Sequence, residues 1–297
     1  MIRTRSKAEI LLVIVTFFWG ATFVVVKEAL ADASPVAFIA ARFLVAGGLL
    51  VLVFGRRRLS RRALGPSLVL GLLLFAGYVF QTWGQEYTTP SKCAFITAFS
   101  VVLVPLILVF VDAPLRWGSA AGALMGLGGI YLLVVPSGAG GLNRGDVLTL
   151  FAATAFAVYI VLLERYSRAH SFVDLAPAQI LLVGVLGGLA WPLGIGWRIH
   201  WTGYLAAAVL LTAVFATAFA FAVQNWAQRY VPAAHAALIF ALEPVFAALV
   251  SVVIIHERLG SRLLIGSALI LAGVGVSERW GSGTGREPLS AERSFDD

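Results

Sequence analysis

The chain has few charged residues and almost no cysteine. Of its 297 residues, 12% are charged and 60% are apolar, and Cys93 is the only cysteine. Soluble domains are typically about 45–50% apolar and about 25% charged, so this composition excludes a soluble globular protein, and its apolar content excludes a disordered chain. A single cysteine also excludes a disulfide scaffold and a cysteine-rich metal site. The composition therefore indicates an integral membrane protein.

Several motifs of catalytic and cofactor-binding proteins are also missing. No phosphate-binding G-x-x-x-x-G-K-[ST] loop and no G-x-S-x-G elbow occurs. His256-Glu257 lacks the second histidine of a zinc-protease helix, because Gly260 stands at that position. We therefore expect no cofactor, no metal and no enzymatic activity. An intramembrane enzyme acting on a lipid-linked substrate is the alternative from another class, and it would need paired carboxylates in the spans.

The apolar residues fall into ten stretches, each close to the roughly 20 residues that a helix needs to cross a bilayer. Alternation of period two is absent, so helices rather than a barrel are predicted. The predicted fold is an all-α integral membrane protein with ten spans, near 8–26, 35–54, 64–84, 91–111, 117–136, 146–164, 173–193, 203–226, 233–255 and 262–278.

The positions of the basic residues behind the net charge of +7 indicate membrane topology rather than a nucleic-acid site. Five arginines lie in one short loop at 56–62, and most of the 22 Lys and Arg residues fall on the side of the N-terminus. The positive-inside rule then places both termini in the cytoplasm. Residues 281–297, rich in Gly, Ser and charge, are predicted to form a disordered cytoplasmic tail.

The second half of the chain repeats the first. Residues 83–87 (WGQEY) match residues 226–230 (WAQRY) at an offset of 143, and Lys92 matches His235 at the same offset. Arg42 falls opposite Gln179, and Trp19 opposite Phe156, at an offset of 137. Glycines match at an offset of 144, 122 with 266 and 129 with 273. The predicted repeats are 1–141 and 142–280.

Each repeat contains five helices, which is an odd number, so the second copy enters the membrane from the opposite side. Inverted repeats of this kind are the architecture of many secondary transporters, in which the two halves surround a central cavity and alternately open it to either side.

The same residues carry a family resemblance. Trp19-Gly-Ala-Thr-Phe23, the segment 87–97 (YTTPSKCAFIT) before Val104-Pro105, Leu242-Glu-Pro-Val245 and Glu257-Arg-Leu259 resemble drug/metabolite transporters of the EamA type over about residues 8–278. The resemblance implies ten helices in two inverted repeats, a central cavity, and export of small metabolites such as amino acids or xenobiotics. In related sugar-phosphate translocators, basic residues on helices four and nine hold the substrate, which would place Lys92 and His235 in the binding site.

Ionisable residues inside a span are costly and usually face a cavity or a partner. Arg42 and Glu243 lie deep in spans two and nine, so we assign them to coupling or gating. The alternative for Glu243 is a structural carboxyl group that is hydrogen-bonded to a neighbouring helix or paired with Arg42. Snorkelling is the alternative for Lys92, and capping by water for His235. The predicted substrate-binding residues are Trp19, Thr22, Tyr78, Gln81, Gln85, Lys92, Gln224, Gln228 and His235, with hydrogen-bonded contacts between helices as the alternative for the four glutamines.

The resulting hypothesis is a secondary-active exporter of small polar metabolites in the inner membrane of a bacterium, working by alternating access. A channel-like facilitator is the alternative within the same class. The predicted partners are a small-molecule substrate and the lipid bilayer, without nucleic acid. Gly118, Gly122 and Gly126 in span five predict tight packing within the bundle, or else the face of a weak homodimer.

Overall fold

The structure, a computed structural model, describes residues 2–54, 60–110, 117–134, 143–193 and 196–281. These residues form ten helical segments with no β-strand among them apart from an isolated bridge. The segments are α1 Ile2–Ala29, α2 Pro35–Phe54, α3 Arg61–Tyr87, α4 Pro90–Val109, α5 Trp117–Val134, α6 Arg144–Ala169, α7 Phe172–Gly188, α8 Gly203–Ala227, α9 Ala233–Ile254 and α10 Ser261–Gly281.

Seven of these segments, α1–α4, α6, α8 and α9, are long and apolar enough to cross a membrane. The other three contain shorter apolar stretches, at Ala120–Gly129, Phe172–Gly188 and Ser261–Val276. Large apolar side chains are exposed on the outside of the bundle, including Leu52 (82%) and Phe110 (91%). Such a surface is stable in lipid rather than in water, so the chain is a multi-pass membrane protein.

The predicted spans correspond to these ten segments, with shifted ends. The sixth span does not open at Asp146: α6 begins at Arg144, because the Asn143 side chain accepts a hydrogen bond from the Gly145 amide as an N-cap. The seventh span ends at Gly188, before the predicted residue 193. The proposed tail beyond Gly281 and the junction between the repeats at 141 and 142 lie outside the described residues.

Three of the segments are interrupted. The first part of α4 ends at Thr97, and the second begins at Phe99. In α9 the first part ends at Phe240 and the second begins at Glu243, where Pro244 lacks an N–H and its ring excludes regular helix in the preceding turn. The linking residues Ala98 and Ala241 are 143 positions apart, the offset of the repeat. The α8 segment contains a π-helical stretch, Val214–Phe219.

Helices of the two halves pack against each other through reciprocal glycine contacts. In α5 and α10, a Cβ added to Gly129 would lie 2.5 Å from the Gly266 carbonyl oxygen, and one added to Gly273 would lie 2.7 Å from that of Gly122. Gly129 corresponds to Gly273 and Gly122 to Gly266 at the offset of 144, so the second contact is the first one with the two halves exchanged. The absence of side chains here lets the two backbones touch.

The contact between α2 and α7 has the same reciprocity. A Cβ on Gly47 would lie 2.6 Å from Leu181 Cδ2, and one on Gly184 would lie 2.7 Å from the Leu44 amide nitrogen. Both members of each pair correspond at the offset of 137 residues. The two halves therefore meet in equivalent ways at two separate interfaces.

The bundle has two ends, which we name after the residues found there. At the Lys92 end, α1 and α3 finish while α4 and α6 begin: Lys27 Nζ donates to the carbonyls of Gln85 and Thr88 at 2.7 and 3.1 Å. At the opposite His235 end, the Ala233 amide donates to Glu164 Oε2 at 2.8 Å, which joins the start of α9 to the last turns of α6.

Candidate functional site

A cavity of about 710 Å³, including its opening, lies inside the bundle. Both halves of the chain line it, through helices α1, α2, α3, α4, α6, α8 and α9. Rings and aliphatic side chains form much of its wall, and amides, hydroxyls, one guanidinium and one carboxyl group supply its polar parts. The lining residues are Trp19, Thr22, Phe23, Val26, Arg42, Leu74, Tyr78, Gln81, Thr82, Gln85, Thr97, Ser100, Phe156, Tyr159, Ile160, Phe221, Gln224, Phe240 and Glu243.

Arg42 is held at the cavity by the π-helical stretch of α8. Its Nε donates to Thr217 Oγ1 at 2.7 Å, and an Nη donates to the Ala216 carbonyl at 3.1 Å. A π-helical stretch lacks regular i→i+4 pairing, which leaves a backbone carbonyl available to other donors. The guanidinium, on a residue only 5% exposed, is therefore bound by neutral oxygen atoms.

The Ala216 carbonyl also positions Trp19. Its indole Nε1 donates to the Ala216 oxygen at 2.9 Å, so α1, α2 and α8 meet at one backbone group. The ring also packs against Phe221 and Phe240, at centroid distances of 5.7 and 5.3 Å. Thr22, one turn further along α1, donates to the Trp19 carbonyl at 2.9 Å. The sequence-predicted pair Trp19 and Thr22 thus lines the cavity.

Tyr78 lies at the centre of an aromatic cluster beside the arginine. Its ring meets Phe43, Phe156 and Phe221 edge-on, at 4.8, 5.4 and 6.2 Å. The Arg42 guanidinium carbon lies 5.1 Å from the Tyr78 ring centroid, within the range of a cation–π interaction. These contacts fix both side chains at the wall, and no carboxylate of the described residues pairs with Arg42.

All four predicted glutamines form hydrogen bonds within the bundle, and Gln81, Gln85 and Gln224 also line the cavity. Gln81 lines the cavity and donates to Thr97 Oγ1 at 3.2 Å. Gln85 donates to the Phe23 carbonyl, and Gln228 donates to the Ile160 carbonyl at 3.1 Å. These last two bonds are repeat equivalents, since Phe23 matches Ile160 and Gln85 matches Gln228. They join neighbouring helices, the alternative we considered from the sequence.

Gln224 lines the cavity while its amide donates to Gln228 Oε1 at 3.1 Å. Among the residues that the structure describes, its own Oε1 atom is buried without a hydrogen-bond partner. Gln228 is not among the lining residues.

Glu243 supplies the carboxyl group of the cavity. It begins the second part of α9, beside the interruption, and is half-buried because it faces the open space. Within the described residues it has no hydrogen bond and no ion pair. The structural pair between Arg42 and Glu243 that we considered is absent here, since the guanidinium binds Thr217 and Ala216 instead.

Lys92 and His235 lie away from the cavity. Lys92 Nζ forms an ion pair with Asp146 Oδ2 at 2.6 Å, and His235 Nε2 lies 3.3 Å from Glu9 Oε1. The structure thus gathers eight of the eleven predicted site residues around the cavity and leaves Lys92, Gln228 and His235 outside it.

Sequence reasoning missed part of the wall. Thr97 and Ser100 flank the interruption of α4, and Phe156 is the repeat equivalent of Trp19. The offset that related Trp19 to Phe156 was a sufficient signal for the latter. No comparable signal marks Thr97, because the interruption at Ala98 contains neither proline nor glycine.

Across the described residues, no group of three His, Cys, Asp or Glu side chains is placed to hold a metal ion. The fold and the cavity together define a multi-pass helical membrane protein with an interior cavity that both halves of the chain line.

The comparisons with known proteins assign the family. The profile of the EamA-like transporter family matches residues 6–135 and again residues 143–278. The chain belongs to the EamA-like transporter family, and it is a transporter. An uncharacterized transporter of Archaeoglobus fulgidus is 38% identical over 276 residues, covering 91% of this chain and 85% of that protein.

Proteins with lower sequence identity also match over most of the chain. The uncharacterized transporter YoaV of Bacillus subtilis is 22% identical over 88% of this chain and 92% of its own. A WAT1-related chloroplastic protein of Arabidopsis thaliana is 25% identical over 87% of this chain and 66% of its own. A crystal structure with 22% identity superposes with a TM-score of 0.70 over 92% of this chain and 96% of that one, a likeness of fold.

Proposed function

We propose that the protein is a secondary-active exporter of small polar metabolites, amino acids or related compounds, that works by alternating access. The observation that carries this proposal is the interior cavity, which both halves of the chain line with polar groups and rings. Pockets that combine a mostly apolar wall with a few placed polar groups are typical small-molecule sites.

The proposal includes two inverted five-helix repeats with a boundary near residue 141. Three repeat-equivalent features support it: the glycine contacts of α5 with α10, those of α2 with α7, and the glutamine bonds to the Phe23 and Ile160 carbonyls. Equivalent contacts give the two halves similar energies in exchanged roles, which is the physical requirement for alternating access. The proposed location is the inner membrane, with both termini in the cytoplasm.

Glu243 and Arg42 have different roles in this proposal. Arg42 already binds Thr217 and Ala216, so it gives the cavity a positive charge and joins α2 to α8. Glu243 has no partner within the described residues and faces the space, so it is the group available to a cationic part of the substrate or to a coupling proton.

The experiment starts with a screen. Cells that overproduce the protein are tested for resistance to toxic concentrations of amino acids and drugs, and each compound found is then used in proteoliposomes. We expect counterflow, in which unlabelled substrate inside the vesicles accelerates uptake of labelled substrate. Glu243→Gln, which keeps the shape of the side chain, should lower this flux at least about tenfold, a difference of about 1.4 kcal/mol.

Leu249→Ala is the matched control, because Leu249 lies on the same helix with 59% of its surface exposed on the outside of the bundle. It should transport like the native protein. Flux without acceleration from the opposite side would indicate a channel-like facilitator. Equal flux in Glu243→Gln and in the native protein would remove the carboxyl group from the transport step.

A further inference from the structure

Two contacts between a basic and an acidic side chain lie outside the cavity and connect the two halves of the chain. Lys92 on α4 contacts Asp146 on α6 at 2.6 Å, and His235 on α9 contacts Glu9 on α1 at 3.3 Å. In each pair, one residue belongs to the first half of the chain and the other to the second. Neither pair contributes to the cavity wall.

The two pairs are repeat equivalents of each other. Lys92 and His235 match at the offset of 143 residues. Their partners also match: Glu9-Ile-Leu11 corresponds to Asp146-Val-Leu148 at the offset of 137, the register that relates Trp19 to Phe156. A basic residue at the start of the fourth helix of a repeat thus meets an acidic residue near the start of the first helix of the other repeat.

The pairs lie at opposite ends of the bundle. Lys27 on α1 binds carbonyls at the Lys92 end, and Glu9 precedes it by 18 residues on the same helix. At 1.5 Å per residue, Glu9 is therefore about 27 Å away, close to the thickness of a bilayer core. The residues of α1 that line the cavity, from Trp19 to Val26, lie between Glu9 and Lys27 along this helix.

The two pairs differ in how tightly they are held. The Asp146 side chain is fully buried and also accepts a hydrogen bond from Thr88 Oγ1 at 3.1 Å. His235 and Glu9 are 31% and 30% exposed at their side chains, and Glu9 also binds Arg5 at 2.9 Å. Removing one partner of a buried pair costs more than removing one of an exposed pair. Removal of one partner should thus cost more at the Lys92 end than at the His235 end.

We propose that these two acid–base contacts, called the Lys92 pair and the His235 pair, are the alternating gates of the transporter. Each pair fastens one half of the chain to the other at one end of the cavity, so that end opens only when its pair separates. This inference rests on the proposed alternating access, because it assigns the closure of each side to one pair.

The proposal predicts opposite effects for the two pairs. Weakening the Lys92 pair favours the state that is open at the Lys92 end. Weakening the His235 pair favours the state that is open at the other end, and thereby depletes the first. A merely structural contact would loosen the bundle whichever pair was removed.

The chain contains its own reporter for this test. Cys93, the only cysteine, follows Lys92 and is fully buried, with Sγ 3.6 Å from Thr149 Oγ1 of α6 and 3.9 Å from the Gln81 carbonyl oxygen. Opening the Lys92 end moves α4 from α6 and exposes the thiol group. The measurement is the rate at which a water-soluble maleimide labels the full-length protein in proteoliposomes.

We expect Asp146→Asn to raise the labelling rate about tenfold, which corresponds to about 1.4 kcal/mol, and His235→Ala to lower it. The double exchange of Lys92→Asp with Asp146→Lys should return the rate towards that of the native protein, which a misfolded variant would not do. Arg168→Ala is the matched control. It removes an ion pair with Glu164 that lies within α6 and does not connect the two halves, so it should leave the labelling rate unchanged.

Faster labelling in both single variants, or no recovery in the double exchange, would overturn the proposal. The assay needs no substrate, so it is separate from the test of transport. Opposite shifts in labelling without any counterflow would support the gates and refute the proposed function.

Discussion

The packing of α5 against α10 allows a prediction with a defined magnitude. Gly273→Ala would place a methyl carbon 2.7 Å from the Gly122 carbonyl oxygen and 3.0 Å from Met125 Cβ. Both atoms belong to or adjoin the backbone of α5, so no flexible side chain can move aside. Overpacking of this kind typically costs about 1–3 kcal/mol, and we expect a loss of that size in the free energy of unfolding.

The control lies on the same helix. A Cβ added to Gly275 would have no neighbour within 4 Å, so Gly275→Ala keeps only the gain in helix propensity, up to about 1 kcal/mol. Thermal unfolding of the purified protein in detergent measures both variants. Gly273→Ala should unfold at a lower temperature than the native protein, and Gly275→Ala at the same or a higher one. Equal midpoints for the two variants would refute the backbone contact between α5 and α10.

Two further variants test one contact at the cavity and one at the Lys92 end. Thr217→Val keeps the side-chain shape but leaves Arg42 Nε without its acceptor, so it should lower the free energy of unfolding by about 1.5–3 kcal/mol. Chemical denaturation measures this loss, and Thr154→Val is the control, because the exposed Thr154 hydroxyl group binds only its own helix. Equal losses in the two variants would contradict the prediction. Ser91→Ala removes the 2.8 Å bond to Glu257 Oε2 and should cost about 1 kcal/mol by the same measurement; an unchanged stability would show that this bond contributes nothing.

The helices could be predicted from the sequence because the bilayer imposes one physical rule on every span. Twenty apolar residues and a satisfied backbone suffice to define a spanning helix. The ends were less predictable, because single side chains such as Asn143 determine where a helix begins.

The cavity was predictable only in part. Buried polar residues such as Arg42, Tyr78 and Gln81 stand out in an apolar chain, and the structure places all three at the cavity. The acceptors of Arg42 did not stand out, because the π-helical stretch around Thr217 contains neither proline nor glycine. A threonine and a backbone carbonyl carry no signal in the sequence that they bind a guanidinium.

Lys92 and His235 show a different limit. Their charge and repeat equivalence indicated function, but their partners decide which function, and those partners lie 54 and 226 positions away along the chain. The matching offsets of Glu9 and Asp146 were a usable signal, since the same register relates Trp19 to Phe156. From the sequence, Asp146 was interpreted only as the first residue of the sixth span.

The most direct test of the central claim, that the substrate passes through this cavity, uses a thiol group placed in its wall. Ser100→Cys in a Cys93→Ser background puts a cysteine on α4, where Ser100 lines the cavity at 6% exposure. A small membrane-impermeant thiol reagent should label it from either side of sealed vesicles, and transported substrate should slow that labelling. Leu249→Cys, on the outer face, should stay unlabelled. Labelling of Ser100→Cys from one side only, or from neither, would contradict the account.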